Sequence, residues 1–107
     1  MFTIVPVDMQ VGETAIGICP VRLIKGFPFT EMIAGEITKI ETDPIYMDRT
    51  VFIKATLPDK SVHERELNEH RVAEFTFGGV MVKNPKFDRR RVEKEDKDYL
   101  KKHGLGS

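Results

Sequence analysis

The sequence predicts a mainly β protein: a small, strongly bent, five-stranded barrel followed by a charged C-terminal helix. Three observations carry this expectation. Short β-prone runs succeed one another from Thr14 to Lys83, separated by Gly-, Pro- and Asp-containing turns. Strands of about five or six residues are too short for an ordinary two-layer sandwich, and a sheet that curls on itself protects its edges. The composition then changes at Asn84–Pro85, beyond which the chain is densely charged and helix-prone.

The elements follow in order. Phe2–Val7 is β-branched, and Pro6 makes it an edge or lead-in strand. Asp8–Glu13 contains Gly12 and reads as a turn. Thr14–Ile24 is β-prone but interrupted by Pro20, which lacks an N–H for a ladder. Gly26–Glu31 reads as a loop punctuated by Gly26 and Pro28, with Phe27 and Phe29 inside it. Met32–Glu41 returns to strand, and Gly35 within it implies a bulge or a close backbone approach. Asp43–Pro44 marks the next turn.

Thr50–Leu57 has the cleanest period-two pattern. Val51, Ile53, Ala55 and Leu57 share one face, while Phe52, Lys54 and Thr56 share the other. Pro58–Asp59–Lys60 is a tight turn that joins this strand to Ser61–Leu67 as an antiparallel hairpin. Asn68–His70 fits a single helical turn, and Arg71–Phe77 another strand. Gly78–Gly79 breaks that strand before the short apolar piece Val80–Lys83. Asp88–His103 reads as a helix with acid-first pairs Glu93–Lys97 and Asp98–Lys102, stopped by Gly104. Two segments result: a small β-barrel domain over residues 1–83, and a basic helix or tail over residues 84–107.

Residues 21–75 resemble a KOW module, the small SH3-like barrel of NusG-type transcription factors and several ribosomal proteins. The lead strand is Val21-Arg22-Leu23-Ile24, the loop Gly26-Phe27-Pro28-Phe29, and the glycine strand Gly35-Glu36-Ile37-Thr38-Lys39-Ile40. Downstream, VHERELNEHRVAEF is similar to the closing part of such modules, with Val62, Leu67 and Val72 at its apolar positions. Phe27 stands where proline is usual and Pro28 where the aromatic is usual. The resemblance implies a non-enzymatic module associated with transcription or translation, whose barrel loops contact RNA or a protein partner.

Charge is balanced overall but sorted along the chain. From Lys83 onward there are nine Lys and Arg against five Asp and Glu, a net of +4, so the preceding residues carry −4. A neutral protein is not steered globally to a polyanion, but a basic segment can act locally. Lys83, Lys86, Arg89, Arg90, Arg91 and Lys94 cluster before the acids intervene, and Arg90, Lys94, Lys97 and Lys101 have the spacing of one helical stripe. Such a stripe suits DNA or RNA phosphates without sequence specificity. Its alternative role is a solvated face. Arg89–Arg91 would occupy the first helical turn, where cations oppose the macrodipole. Either the helix starts later or a partner retains them.

Arg22 and Lys25, beside the aromatic loop, complete the expected nucleic-acid contacts. Phe27 and Phe29 are the expected partner contacts, with one of them inside and the other outside. An adaptor that seats on RNA polymerase, a ribosome or a related partner through these aromatics is the alternative function.

No GxGxxG, P-loop, GxSxG or paired-Cys motif is present. His63, Glu64, Glu66, Glu69 and His70 lack metal-ligand spacing and read as a solvated face. No metal, cofactor or enzymatic activity is expected. Cys19 stands alone and reads as a small buried apolar residue. No apolar run approaches the ~20 residues of a membrane span, and no basic n-region precedes an apolar stretch. A cytoplasmic location without membrane partners is expected.

Overall fold

The computed structural model describes residues 6–105. The strands are β1 (Thr14–Ile18), β2 (Arg22–Ile24), β3 (Phe27–Phe29), β4 (Met32–Thr42), β5 (Arg49–Thr56), β6 (Val62–Asn68), β7 (Val72–Phe77) and β8 (Val80–Lys83). A 3₁₀ turn over Glu69–Arg71 joins β6 to β7, and the helix α1 spans Arg89–Lys102. The protein is mainly β, as expected. Most of the lead-in strand expected at Phe2–Val7 lies outside the described residues, and Pro6 and Val7 are not in a strand.

Six strands form one antiparallel sheet in the order β6-β5-β4-β1-β7-β8. This differs from the expected five-stranded closed barrel, because the sheet is open and no ladder joins β6 to β8. The extra strand has a local cause. Gly78 and Gly79, at φ 61° and 82°, form a tight turn that lays β8 along the outer side of β7.

The sheet is nevertheless strongly curled. Four inter-strand steps separate β6 from β7, roughly 19 Å if the sheet were flat. The three-residue 3₁₀ turn that connects them spans only about 6 Å. The two strands meet only because the sheet bends. Its inner face carries the core: Ala15, Ile37, Val51, Ile53, Leu67, Val72 and Phe75 are all fully buried. On β5 the expected alternation holds, with Val51, Ile53 and Ala55 inside, whereas Leu57 lies beyond the strand and is exposed.

Pro20 splits the segment after Gly12 into β1 and β2, and a separate ribbon of β2 and β3 projects as an arm from the β1–β4 hairpin. The expected loop at Gly26–Glu31 is therefore a strand over Phe27–Phe29. Lys25 and Gly26, at φ 53° and 82°, make the two-residue turn whose twist matches the strands. Pro28 is tolerated because it faces Leu23 at the second pair from the turn, where neither residue donates to the other. At the base of the arm, Cys19 N–H donates to Glu31 O at 2.9 Å, and Arg65 Nε on β6 donates to Glu31 Oε1 at 2.8 Å.

Gly35 makes the close approach expected of it. A Cβ there would collide with the backbone carbonyl of Lys54 on the neighbouring strand. Gly35→Ala must therefore push β5 away from β4. The expected cost is about 2–3 kcal/mol, read as a lower midpoint in urea denaturation. An unchanged midpoint would contradict this packing.

Candidate functional site

The candidate site is built outward from the 3₁₀ turn. Glu69, His70 and Arg71 are consecutive, ionisable and buried. The expectation of a solvated face for Glu69 and His70 is thus corrected. The turn carries the chain from β6 to β7 across the curled sheet, where these side chains are buried and each must find a partner.

Glu69 Oε2 accepts from Arg49 Nε at 2.7 Å, and Lys86 Nζ lies 3.5 Å away. Arg49 also donates from both terminal nitrogens to Asp8, at 2.9 and 2.8 Å. That fork from Arg49 holds the Asp8 carboxyl below its usual range, and the same contact strengthens the charged form of Arg49. Asn84 is buried behind the turn, and its amide donates to Glu69 O at 2.8 Å and Val72 O at 2.7 Å. Asp88 N–H donates to His70 O at 3.0 Å, and the Asp88 side chain then caps α1 by accepting from Arg91 N–H.

The helix docks on this turn mostly through charge. Val92 is its one buried residue. His70 Nε2 lies 3.1 Å from Glu95 Oε2 and must donate, because a carboxylate only accepts. Arg71 Nη2 reaches Glu95 at 3.1 Å and Asp96 at 2.8 Å. Burial pushes the Glu95 carboxyl upward, but the His70 and Arg71 hydrogen bonds and charges outweigh it and hold Glu95 below its usual range.

This docking sorts the helix charges. At 100° per residue, Arg90, Lys94, Lys97 and Lys101 fall within about 60° of arc, on the side opposite Val92. All four are exposed and make no ion pair among the described residues. The expected pairs Glu93–Lys97 and Asp98–Lys102 do not form, consistent with the small value of solvated pairs. The helical pair that does form is Arg91 Nε to Glu95 Oε1, at 3.2 Å. The helix does not start late: Arg89, Arg90 and Arg91 occupy its first turn, without an acid in that turn. Arg91 is further balanced by Asp48 at 3.9 Å, but Arg89 and Arg90 have no such partner among the described residues.

The expected cations therefore do not form one surface. Arg89, Arg90, Arg91, Lys94, Lys97 and Lys101 belong to α1; Lys83 and Lys86 lie on the chain that leads into it; Arg22 and Lys25 lie on the arm. The aromatics also depart from expectation. Phe27 and Phe29 are both outside, 68% and 53% exposed, because residues two apart in a strand share a face. Cross-strand pairing places Ile24 and Arg22 on that same face.

Sequence reading missed the β4–β5 loop. Ile45, Tyr46 and Met47 are strongly exposed at its tip. The signal was available: a run of large apolar residues follows Asp43–Pro44, where a turn should be polar. Cys19 is buried as expected, and burial pushes its thiol pKa up. His63 sits apart from His70, its ring 3.3 Å from the Ser61 hydroxyl. Among the described residues no helix is long and apolar enough to cross a membrane. Comparison with protein-family models, curated proteins and solved structures returned no match.

The depressed Glu95 carboxyl fixes a sign for pH dependence. Such a group favours the folded state above its unfolded pKa of about 4.3, and that contribution is lost as pH falls through the folded value. Stability in urea should therefore decline on acidification below about pH 4.5. Glu95→Gln should lower stability near neutrality by about 1–2 kcal/mol, the exposed part of Glu95 discounting the larger figure for a buried pair. It should also flatten the acid limb. An equally steep limb in the variant would remove Glu95 from this role.

Proposed function

We propose that the protein is a non-enzymatic, cytoplasmic nucleic-acid-binding accessory protein, associated with transcription or translation, that grips the phosphate backbone through α1. The observation that carries this reading is the outward cationic ridge, together with Arg89 and Arg90 in the first helical turn. Cations there oppose the macrodipole, each by about 0.3–1 kcal/mol when exposed. The internal use of Glu95 and Asp96 leaves the ridge flanked only by Glu93 and Asp98. A row of cations along a straight helix suits phosphates spaced along a strand, without sequence readout.

The SH3-like, KOW-like reading is kept as part of this proposal with one change: the lead strand assigned at Val21–Ile24 lies in the arm, and the strand in its place in the sheet is β1, ahead of residues 21–75. The reading is supported by the order β6-β5-β4-β1-β7, by the arm inserted between β1 and β4, and by the 3₁₀ turn between β6 and β7. In that reading the curled sheet is the frame and α1 is the binding element.

Binding to DNA or RNA should weaken steeply with added salt. Replacing Arg90, Lys94 and Lys97 together by Gln should reduce affinity at low salt by about tenfold or more. It should also make the slope of log K against log salt shallower by about 2–3. A triple variant with unaltered affinity and slope would refute the ridge.

A second reading has its own observation. The exposed arm face of Arg22, Ile24, Phe27 and Phe29 is three-quarters apolar and projects from the body of the sheet. It suits docking on a protein partner such as RNA polymerase or a ribosomal protein. Phe27→Ala with Phe29→Ala should abolish recovery of such a partner in pull-down without lowering the thermal midpoint, since neither ring is in the core. Unchanged recovery would exclude the arm.

A further inference from the structure

The β4–β5 loop carries an exposed aromatic ring and touches the first turn of α1 through Asp48, and its backbone is held by its own hydrogen bonds. Asp43 Oδ1 accepts from the backbone N–H groups of Ile45 at 2.8 Å and Tyr46 at 3.1 Å. Asp43 O accepts from Met47 N–H at 2.8 Å, and Asp43 N–H donates to Asp48 O at 2.8 Å. Met47 stands at φ 60°, a left-handed conformation that a side chain adopts at a cost. The product of these constraints is Tyr46 with 76% of its surface in solvent, between Ile45 and Met47.

One contact places this loop near the proposed ridge. Asp48, two residues past Tyr46, faces Arg91 on the first turn of α1 at 3.9 Å. Arg91 is adjacent in sequence to Arg90 and lies about 60° around the helix from Lys94. The loop thus flanks the N-terminal end of the ridge. Its carboxylates are engaged, Asp43 by backbone donors and Asp48 by Arg91, so they oppose a polyanion less than two bare charges would.

We infer that Tyr46 is a stacking platform, and that the polyanion on the α1 ridge is single-stranded nucleic acid whose bases reach that ring. The reasoning rests on the proposed phosphate-binding role of α1. A duplex satisfies a cationic ridge but keeps its base faces stacked inside. A single strand offers both phosphates and unpaired rings, and base–aromatic stacking tolerates any sequence. An anionic lipid surface would also meet cations and an apolar tip, and is separated by the test below.

The chain has two tyrosines and no tryptophan, which gives a direct readout. Tyr99→Phe leaves Tyr46 as the sole tyrosine emitter. In that background a mixed-sequence single-stranded oligonucleotide should quench the emission to saturation. The duplex formed with its complement should not. By fluorescence anisotropy with labelled oligonucleotides, Tyr46→Ala should weaken single-strand binding about tenfold and duplex binding by less than about twofold. Tyr46→Phe should retain wild-type affinity. Thermal melting checks that each variant is folded, as expected for an exposed side chain.

Equal binding of both forms by Tyr46→Ala and wild type would overturn the stacking platform. If the Arg90, Lys94 and Lys97 variant were weakened in that same experiment, the ridge would stand without it. Equal weakening of both forms by Tyr46→Ala would likewise overturn single-strand selectivity. Wild-type protein that binds neither form, but sediments with phosphatidylserine vesicles in a Tyr46-dependent way, would overturn both this inference and the nucleic-acid role.

Discussion

The structure depends on three consecutive buried ionisable residues whose partners come from two distant parts of the chain, β5 and α1. Glu69 is met by Arg49 from β5, which in turn holds Asp8 ahead of β1. His70 and Arg71 are met by Glu95 and Asp96 from α1. Asn84 closes the space behind the turn through two backbone carbonyls. A buried charge without its partner costs several kcal/mol, so these contacts act as conditions of folding more than as increments of stability. Among the described residues no buried side-chain polar atom lacks a partner. The turn therefore sets the curl of the sheet, the course of the chain before β1 and the seat of the helix together.

That arrangement also decides what the surface looks like. A helix with thin apolar content is marginal in water and needs tertiary contacts. Here the contacts are ionic, and they draw the acids inward. The neutral sum of the chain conceals this sorting, because charge count is indifferent to direction. Once Glu95 and Asp96 face Arg71, the outward side of α1 is cationic whatever the total. Stability and the proposed binding surface thus share one cause.

Much of the framework was legible in the sequence. The alternation of β5, the Pro58–Asp59–Lys60 hairpin, the helical turn near His70, the glycine pair before β8 and the charged helix all follow from local chemistry that the tertiary structure left undisturbed. The misses have physical reasons. Phe27–Phe29 reads as a loop because proline ordinarily interrupts a strand, while the place of Pro28 in the ribbon spares its missing N–H. The open six-stranded sheet was hidden because local pattern specifies strands but not where their ladder stops. Burial of Glu69, His70 and Arg71 is illegible in the sequence because their hydrogen-bonding side-chain partners lie 20 to 25 residues away, Arg49 for Glu69 and Glu95 and Asp96 for His70 and Arg71. The exposure of Tyr46 follows from side-chain-to-backbone hydrogen bonds at Asp43, which a turn signal at Asp43–Pro44 locates without saying which way the residues inside the turn point.

The two exposed apolar features are both built on short-range geometry. The arm is closed by a two-residue turn with positive φ at Lys25 and Gly26, and its base is tied by Glu31 to Arg65. The β4–β5 loop is closed by Asp43 and a left-handed Met47. Rigid presentation matters because binding loses less entropy when the contacting group is already placed. Apolar side chains left in water on flexible segments would collapse onto the nearest core, and these segments resist that by their own hydrogen bonds. Their exposure is thus imposed by backbone chemistry that favours an outward ring over local burial, and such an arrangement is stable only while the buried turn holds the rest of the sheet in its curled form.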